Sequence, residues 1–189
     1  HRLIRRQRQM CIRDRYINDE EFINTVGFGI GAKRKTKIWN RENFIELGKK
    51  LINRGYNIAI FCSKQEEITG RYIKNGIGDS VKLFAGLDLF RVAFFLHKLR
   101  IFIGNDSGLR HMAAALGVNT ITLFGPEDPY EWHPYTEEDG HMAIFHNLDC
   151  INCGKDICPR KTYECMESIT VDEVMDKVKI LEKRIFKSK

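Results

Sequence analysis

The sequence has no long hydrophobic run: nowhere do apolar residues extend over the roughly 20 positions that a membrane-spanning helix needs. Its basic first residues also lack the apolar segment and cleavage site of a signal peptide. Internal repeats and low-complexity tracts are absent as well. What remains, 189 residues with 43% hydrophobic and 30% charged side chains, is typical of one soluble globular domain.

Two sequence motifs of large enzyme classes are missing. In the first Gly-rich turn, Gly29–Arg34 (GIGAKR), an arginine stands where G-x-G-x-x-G needs its third glycine, which argues against a dinucleotide-dependent oxidoreductase. The G-x-S-x-G elbow of the α/β-hydrolases is also absent. A hydrolytic triad of Asp106, Ser107 and His111 is disfavoured, because a triad needs successive contacts from acid to base to nucleophile.

Little excess positive charge is left once the N-terminus is set aside. Residues 1–15 hold six Arg and one Asp, so they supply five of the six net positive charges. We therefore expect no nucleic-acid binding by residues 16–189. Within the basic segment, Met10–Asp14 (MCIRD) resembles the translation of a transposase adapter end used in sequencing libraries. We interpret residues 1–15 as a disordered, non-native scar; a genuine basic arm is the alternative.

From residue 24 onward, apolar runs alternate with helical patterns. The predicted strands are Asn24–Gly29, Asn57–Phe61, Val81–Phe84, Leu99–Ile103 and Thr120–Phe124. Near-continuous apolar strands separated by helices are typical of a parallel sheet that is covered on both faces. The pattern predicts an α/β fold with a Rossmann-like, doubly wound sheet, followed by a Cys-rich loop (150–165) and an amphipathic helix, Val171–Phe186.

The turn Asn105–Gly108 is the first candidate site, because it lies where the fourth strand ends and a helix begins. At this edge of a parallel sheet, free helix amides and the helix dipole favour an anion. We expect Asn105 or Asp106 to cap the helix and Gly108 to let a ligand approach the backbone. His111, one turn beyond Ser107, adds a titratable group; a plain helix cap with a surface histidine is the alternative.

The loop after the first strand strengthens the prediction of an anion site. Lys33–Lys37 (KRKTK) holds four cations in five residues, and in a parallel sheet this loop lies on the same edge as Asp106. Lysines beside a Gly-rich turn suit a diphosphate. A solvated basic loop is the alternative.

Several spaced motifs together resemble glycosyltransferase family nine. They are K-x-W at Lys37–Trp39, D-S-G-x-x-H-x-A-A-A-x-G from Asp106, the L-F-G-P loop, and a late C-x-x-C…C…C-M. Members of this family are the heptosyltransferases of the lipopolysaccharide inner core, and the pattern is most similar to the second heptosyltransferase type. The resemblance extends over about residues 24–186 and implies the C-terminal, nucleotide-sugar half of a two-domain GT-B enzyme.

The resemblance also implies a role for individual residues in binding ADP-heptose. Lys37 would bind the diphosphate, while Asp106, Ser107, Gly108 and His111 would hold the diphosphate and the sugar. Leu87 would pack on the adenine, and Glu66 (or its neighbour Glu67) would meet the ribose. The catalytic base is expected in an N-terminal domain, so that no catalytic residue is assigned to this chain and the fragment is expected to be inactive alone.

The implied reaction is an inverting transfer of heptose to the lipopolysaccharide core, with ADP as the leaving group. ADP-heptose would be the donor substrate, and no cofactor is assigned firmly. A cytoplasmic location is expected, with peripheral association at the inner face of the inner membrane.

The cysteines pose a separate question. Cys150, Cys153, Cys158 and Cys165 give C-x₂-C-x₄-C-x₆-C, in which only the first pair has the usual zinc-ligand spacing. Structural zinc and free thiols both remain open, whereas a cytosolic compartment argues against stable disulfides. Cys62 is expected to be an ordinary buried thiol. A non-enzymatic, Cys-rich module that binds nucleic acid or a partner is the alternative to the enzyme.

Overall fold

Six short apolar strands and seven helices make up the part of the chain that the computed structural model describes, which is residue 22 and residues 24–187. The strands are β1 (Thr25–Gly29), β2 (Asn57–Cys62), β3 (Lys82–Ala85), β4 (Ile101–Asn105), β5 (Asn119–Leu123) and β6 (His141–Ile144). The helices are α1 (Arg41–Asn53), α2 (Glu67–Ile77), α3 (Leu89–Leu96), α4 (Gly108–Ala115), α5 (Pro129–Trp132), α6 (Glu164–Glu167) and α7 (Val171–Lys187), with a 3-10 turn at Lys35–Lys37. The interpretation of residues 1–15 as a scar lies outside the described residues.

All six strands pair in parallel, in the order β3-β2-β1-β4-β5-β6. The chain runs outward from β1 to β3 and then returns to the other side of β1 with β4. The point between β1 and β4 is therefore the topological switch point, where loops diverge and ligands of such sheets bind. The prediction of a Rossmann-like, doubly wound sheet is confirmed.

Helices cover both faces of the sheet because neighbouring strand residues point to opposite sides. Along β2, Ile58 and Ile60 belong to one apolar core, while Ala59 and Phe61 belong to the other. The first core includes residues of α1, α2 and α7, and the second includes residues of α3 and α4. The apolar stripe predicted on the last helix is confirmed: Val174, Val178 and Leu181 are fully buried.

Within the described residues, strand β6 is the one strand that the sequence analysis missed, and it also missed the short helices α5 and α6. The four residues of β6, His-Met-Ala-Ile, begin with a histidine and follow an acidic turn, so the apolar run is too short to stand out. It is recognisable only through its pairing with β5, from Thr120 opposite His141 to Leu123 opposite Ile144. None of the helices in residues 24–187 is long and apolar enough to cross a membrane.

Close approach of β1 and β4 at the switch point depends on Gly104. A Cβ at this position would lie 2.6 Å from the carbonyl oxygen of Gly29 and 2.9 Å from its Cα. Both are backbone atoms of a central strand, and they cannot move without disturbing the sheet. At Gly108, four residues later, a Cβ would meet no atom within 4 Å.

We predict that Gly104→Ala destabilises the fold by about 2 kcal/mol through overpacking. Gly108→Ala, at the first position of α4, is the control and should change the free energy of unfolding by less than about 0.5 kcal/mol. Urea unfolding of the two variants measures the difference. Equal stability of both would show that β1 and β4 tolerate a side chain at their contact.

Candidate functional site

The loop between β1 and α1 is held rigidly although it contains only a single 3-10 turn. Trp39 is fully buried, and its indole Nε1 donates to the carbonyl oxygen of Ile169 at 2.9 Å. Its backbone N–H donates to Asn105 Oδ1 at 3.0 Å, while Asn105 Nδ2 donates to the carbonyl oxygen of Ile30 at 2.8 Å. The Asn105 amide thereby joins both ends of this loop to the end of β4.

Asp106 lies at the switch point between two cations. Its Oδ2 accepts from Lys37 Nζ at 2.6 Å and its Oδ1 accepts from Arg110 Nη2 at 2.8 Å. Burial raises the pKa of the Asp106 carboxyl, but the hydrogen bonds from Lys37 and Arg110 outweigh burial and hold the pKa below its ordinary value of 3.8. The carboxylate is therefore ionised at neutral pH, and the charged cluster of Lys37, Asp106 and Arg110 keeps one net positive charge.

The prediction that Asn105 or Asp106 caps α4 is wrong. Ser107 occupies the N-cap position, and its side chain makes no capping hydrogen bond. Both predicted caps are engaged elsewhere, since Asn105 bonds the loop after β1 and Asp106 bonds the two cations. The first amides of α4 are thus left without a side-chain cap, and Ser107 Oγ is buried with no hydrogen-bond partner within residues 24–187.

A second charged group extends from Lys37 away from the switch point. Arg34 forms an ion pair with Glu127, whose Oε1 also lies 3.7 Å from Lys37 Nζ. Arg34 donates to the carbonyl oxygen of Gly154 in the Cys-rich loop, and its Nε lies 3.5 Å from Asp156. The loops after β1 and β5 and the Cys-rich loop therefore meet around one guanidinium.

A cavity of about 480 Å³ opens at the carboxyl ends of β1 to β4. Four of the residues predicted to bind the nucleotide sugar line it, namely Glu66, Leu87, Ser107 and Gly108. Glu66 accepts from the backbone N–H and the hydroxyl of Ser63, at 2.9 and 2.7 Å. Its neighbour Glu67 is instead paired with Lys64 and Arg71 on the surface of α2. Of the two candidates, Glu66 is the one at the cavity.

A second cavity, of about 460 Å³, lies on the other side of Lys37. It is lined by Lys33, Arg34, Lys37, Glu127, Trp132, Gly154 and Asp156. Lys33 borders both cavities, so they adjoin at the loop after β1. The first cavity is mainly apolar and open towards β2 and β3, whereas the second is charged and has one aromatic wall.

His111 belongs to the same helix, α4, as several residues that line the first cavity, but its own contact is elsewhere. Its Nδ1 is 3.1 Å from the hydroxyl of Tyr135, and neither cavity is lined by it. Burial lowers the pKa of His111, and the nearby Arg110 guanidinium lowers it further. The structure therefore places His111 next to Tyr135, where Arg110, Asp106 and Lys37 are all close enough to affect its pKa.

The four clustered cysteines line a small cavity of about 80 Å³ together with Thr36 and Pro126. Hydrogen bonds from backbone N–H groups, Tyr163 foremost, lower the pKa of Cys158. Burial raises the pKa of Cys165, and the thiolates of the other three raise it further. In the described part of the chain, no group of three or more His, Cys, Asp or Glu is arranged to hold a metal ion.

Comparison with known proteins identifies the family. The model of glycosyltransferase family 9 (heptosyltransferase) matches residues 6–164, which is most of the sequence. The chain belongs to glycosyltransferase family 9. The resemblance found in the motifs is thereby confirmed, and the Rossmann-like sheet is the fold expected of this family.

Individual relatives agree with the family match. The lipooligosaccharide heptosyltransferase 2 of Haemophilus ducreyi is 30% identical over 163 residues, which cover 81% of this chain and 46% of that protein. The crystal structure of the family 9 glycosyltransferase of Veillonella parvula matches with a TM-score of 0.76 and 22% identity, over 94% of this chain and 50% of that one.

A third match comes with a bound ligand. The iron-containing, dodecameric heptosyltransferase TibC, solved in complex with ADP-D-β-D-heptose, shares the fold with a TM-score of 0.67 and 21% identity, over 85% of this chain and 45% of that one. The chain spans about half the length of the curated relatives it matches.

The sequence analysis overlooked two charged residues of this site. Arg110 is fully buried, and Glu127 pairs with Arg34 of the basic loop after β1. Arg34 and Glu127 are 93 positions apart, and no local pattern predicts a pairing between two loops. Glu127 directly follows the Gly-Pro of the recognised L-F-G-P loop, which is the one signal that could have drawn attention to it.

We predict that Asp106→Asn destabilises the chain by about 3 kcal/mol at pH 7, because Arg110 loses its buried counter-charge. Since the folded-state pKa of Asp106 lies below the unfolded value of about 3.9, its contribution is fully present above pH 4 to 5. That contribution is lost as the pH falls through the folded-state pKa. Urea unfolding between pH 7 and pH 3 should show the difference from wild type shrinking below about pH 4.

Asp156→Asn serves as the control for this prediction. Asp156 pairs with Arg34 at 3.5 Å but is largely exposed, so its loss should change stability little at any pH. A difference between wild type and Asp106→Asn that stays constant down to pH 3 would contradict the pairing of Asp106 with its two cations.

Proposed function

We propose that this chain binds the donor of a heptosyl transfer, ADP-heptose, at the switch point of its sheet. The observation that carries the proposal is the position of Lys37. Asp106 holds it at the switch point, next to the uncapped start of α4, which lines a nucleoside-sized cavity. Membership of family 9 and the ADP-heptose bound to TibC support the choice of ligand.

In this proposal the diphosphate lies over the start of α4. Its donors are the amides of Ser107 and Gly108, the ammonium of Lys37, and the Ser107 hydroxyl, which has no hydrogen-bond partner among the described residues. A helix start of this kind binds anions because its first N–H groups have no partner within the helix. The adenosine then occupies the cavity, with the base on Leu87 and the ribose near Glu66.

Catalysis would follow from stabilising the leaving group. When an acceptor hydroxyl attacks the anomeric carbon, the bond to ADP breaks with inversion and negative charge develops on the diphosphate. Donors that are already in place stabilise this charge without reorganisation, which is the main source of rate enhancement in such sites. The base that takes the proton of the acceptor hydroxyl belongs, in this proposal, to an N-terminal domain outside this sequence.

The proposal extends to the setting of the reaction. The acceptor would be the inner core of lipopolysaccharide, and the relatives support this as lipopolysaccharide and lipooligosaccharide heptosyltransferases. The enzyme would act in the cytoplasm, with peripheral association at the inner face of the inner membrane. In this proposal His111, one turn beyond Ser107 on α4, helps to hold the diphosphate and the sugar, and its contact with Tyr135 orients the ring.

We predict that Lys37→Ala weakens ADP binding by roughly tenfold or more, because a charge-assisted hydrogen bond to the diphosphate is lost. Isothermal titration with ADP measures the effect. Lys35→Ala, an exposed lysine in the same 3-10 turn, removes the same charge and should change the affinity for ADP by less than about twofold.

Two further outcomes would separate the proposal from its competitors. In the full-length enzyme, Lys37→Ala and Asp106→Ala should each cut turnover strongly, and near-wild-type kinetics from both would exclude this site. Binding of NAD in preference to ADP-heptose would favour an oxidoreductase instead.

The cysteine cluster generates a separate prediction. We propose that its thiols are free, so the purified chain should hold well below one zinc or iron ion, and iodoacetamide should label Cys158 first. Its pKa is lowered, and the thiolate is the reactive form. Cys62 is the internal control, because burial raises its pKa to about 11 and should make it the slowest to react. One bound metal ion per chain, with all four clustered thiols protected, would establish a metal site.

A further inference from the structure

Four thiols take no part in the binding of ADP as described above; they belong to Cys150, Cys153, Cys158 and Cys165. We propose that they form a site of reversible oxidation by hydrogen peroxide, at which Cys158 reacts first and then forms a disulfide with one of the other three. The disulfide shifts the loop that carries Lys37 and weakens the binding of ADP. Only this last step rests on the proposed function; the oxidation itself is independent of it.

The cysteine cluster is open to a small oxidant, and its sulfurs lie close to one another. All four side chains are partly exposed, and they line one cavity of about 80 Å³. A water molecule needs about 10–15 Å³ of such space, so there is room for a peroxide molecule. The charges of the other three thiolates act on Cys165, which places the four sulfurs in one group. Cys62 is instead buried, at the end of β2.

Cys158 is the thiol that its surroundings activate. Backbone N–H groups of the turn 160–163 donate to its sulfur, that of Tyr163 foremost, and they lower the pKa of the thiol. Lys161 and Tyr163 have left-handed backbone conformations, with φ of 56° and 50°, and such turns can direct successive N–H groups at one atom. The thiolate is the form that attacks an oxidant. Burial and the neighbouring thiolates raise the pKa of Cys165, which makes it a poorer first nucleophile.

The peroxide is the only co-reactant that the oxidation needs. The Cys158 thiolate attacks one oxygen of the peroxide, the O–O bond breaks, and the leaving hydroxide takes up a proton to become water. A neighbouring thiol then attacks the sulfenic acid at Cys158. An S–S bond forms, the S–O bond breaks, and the oxygen leaves with the proton of the thiol as a second water. Two thiols together lose two electrons, the peroxide is reduced, and a dithiol reverses the change by exchange.

The segment between the second and third cysteines of the cluster is bonded to the loop that carries Lys37. The carbonyl oxygen of Gly154 accepts from Arg34, and that of Lys155 accepts from Thr36 Oγ1 at 2.9 Å. A disulfide holds its sulfurs about 2 Å apart, closer than any non-bonded contact, so its formation pulls on this segment. Because Thr36 directly precedes Lys37, the displacement reaches the ammonium that binds the diphosphate.

Oxidation of the purified, reduced chain with hydrogen peroxide tests the site. Cys11 lies outside the described residues, so Cys11→Ser is the parent of all variants. One equivalent of peroxide should remove two free thiols, and peptide mapping should find Cys158 joined to another cysteine of the cluster. Cys158→Ala should slow the loss of thiols by about tenfold or more, because the activated thiolate is gone. Cys62→Ala is the matched control and should react at the rate of the parent, because burial raises the pKa of Cys62 to about 11.

Isothermal titration with ADP tests the coupling to Lys37. The disulfide form of the parent should bind ADP about fivefold more weakly than the reduced form, and dithiothreitol should restore the affinity. Cys158→Ala treated with peroxide should bind ADP as the reduced parent does, and a thermal melt verifies its fold.

The proposal is overturned if Cys158 stays reduced while other thiols are lost, if Cys158→Ala oxidises at the rate of the parent, or if the disulfide form binds ADP as tightly as the reduced form. A bound metal ion that protects all four clustered thiols would also overturn it. Failure of the reduced parent to bind ADP would refute the proposed function, and the thiol count and peptide map would still decide whether the cluster is oxidised.

Discussion

The site depends on one buried carboxylate that is neutralised from two sides. Asp106 is almost completely buried, and an isolated charge at that depth would be too costly to keep. The ion pairs with Lys37 and Arg110 offset this cost. The carboxylate in turn orders both long side chains in advance, so that they lose less rotamer entropy when an anion binds. Removing Asp106 leaves two cations without this counter-charge next to the start of α4, whereas removing either cation leaves the carboxylate with one partner.

The loop between β1 and α1 has little regular structure, but it is fixed at the edge of the sheet next to Asp106. The bonds of Trp39 and Asn105 join it to β4 and to the segment before α7, and Thr36 Oγ1 donates to the carbonyl oxygen of Lys155 in the Cys-rich loop. The cysteine cluster packs against the same turn. By packing against the loop that carries Lys37, the cysteine cluster has a structural role with or without a metal. A cation that is already held in place binds an anion without the entropic cost of ordering its side chain.

The sequence predicted those features that follow from local pattern and from the topology of parallel sheets. Central strands such as β4 stand out as apolar runs, and their shared direction brings Lys37 and Asp106 to one edge although 69 residues separate them. The prediction of the cap of α4 was wrong because the side chains of Asn105 and Asp106 bond residues distant in sequence instead of the backbone amides of the helix. The Arg34–Glu127 pair could not be predicted, since long-range pairing between loops leaves no periodic signal.

The ion pair between Lys37 and Asp106 also affects how strongly the site would bind the donor and how strongly it would bind the leaving group. Lys37 is already paired in the free chain, so a diphosphate that binds there must share the ammonium with Asp106. In the proposed transfer, sharing would weaken the binding of a donor whose second phosphate is esterified, and it would matter less as charge accumulates on the departing ADP. An interaction that strengthens towards the transition state raises the rate, whereas one that holds substrate equally well does not. The pairing that stabilises the fold would thereby also tune the site towards its leaving group.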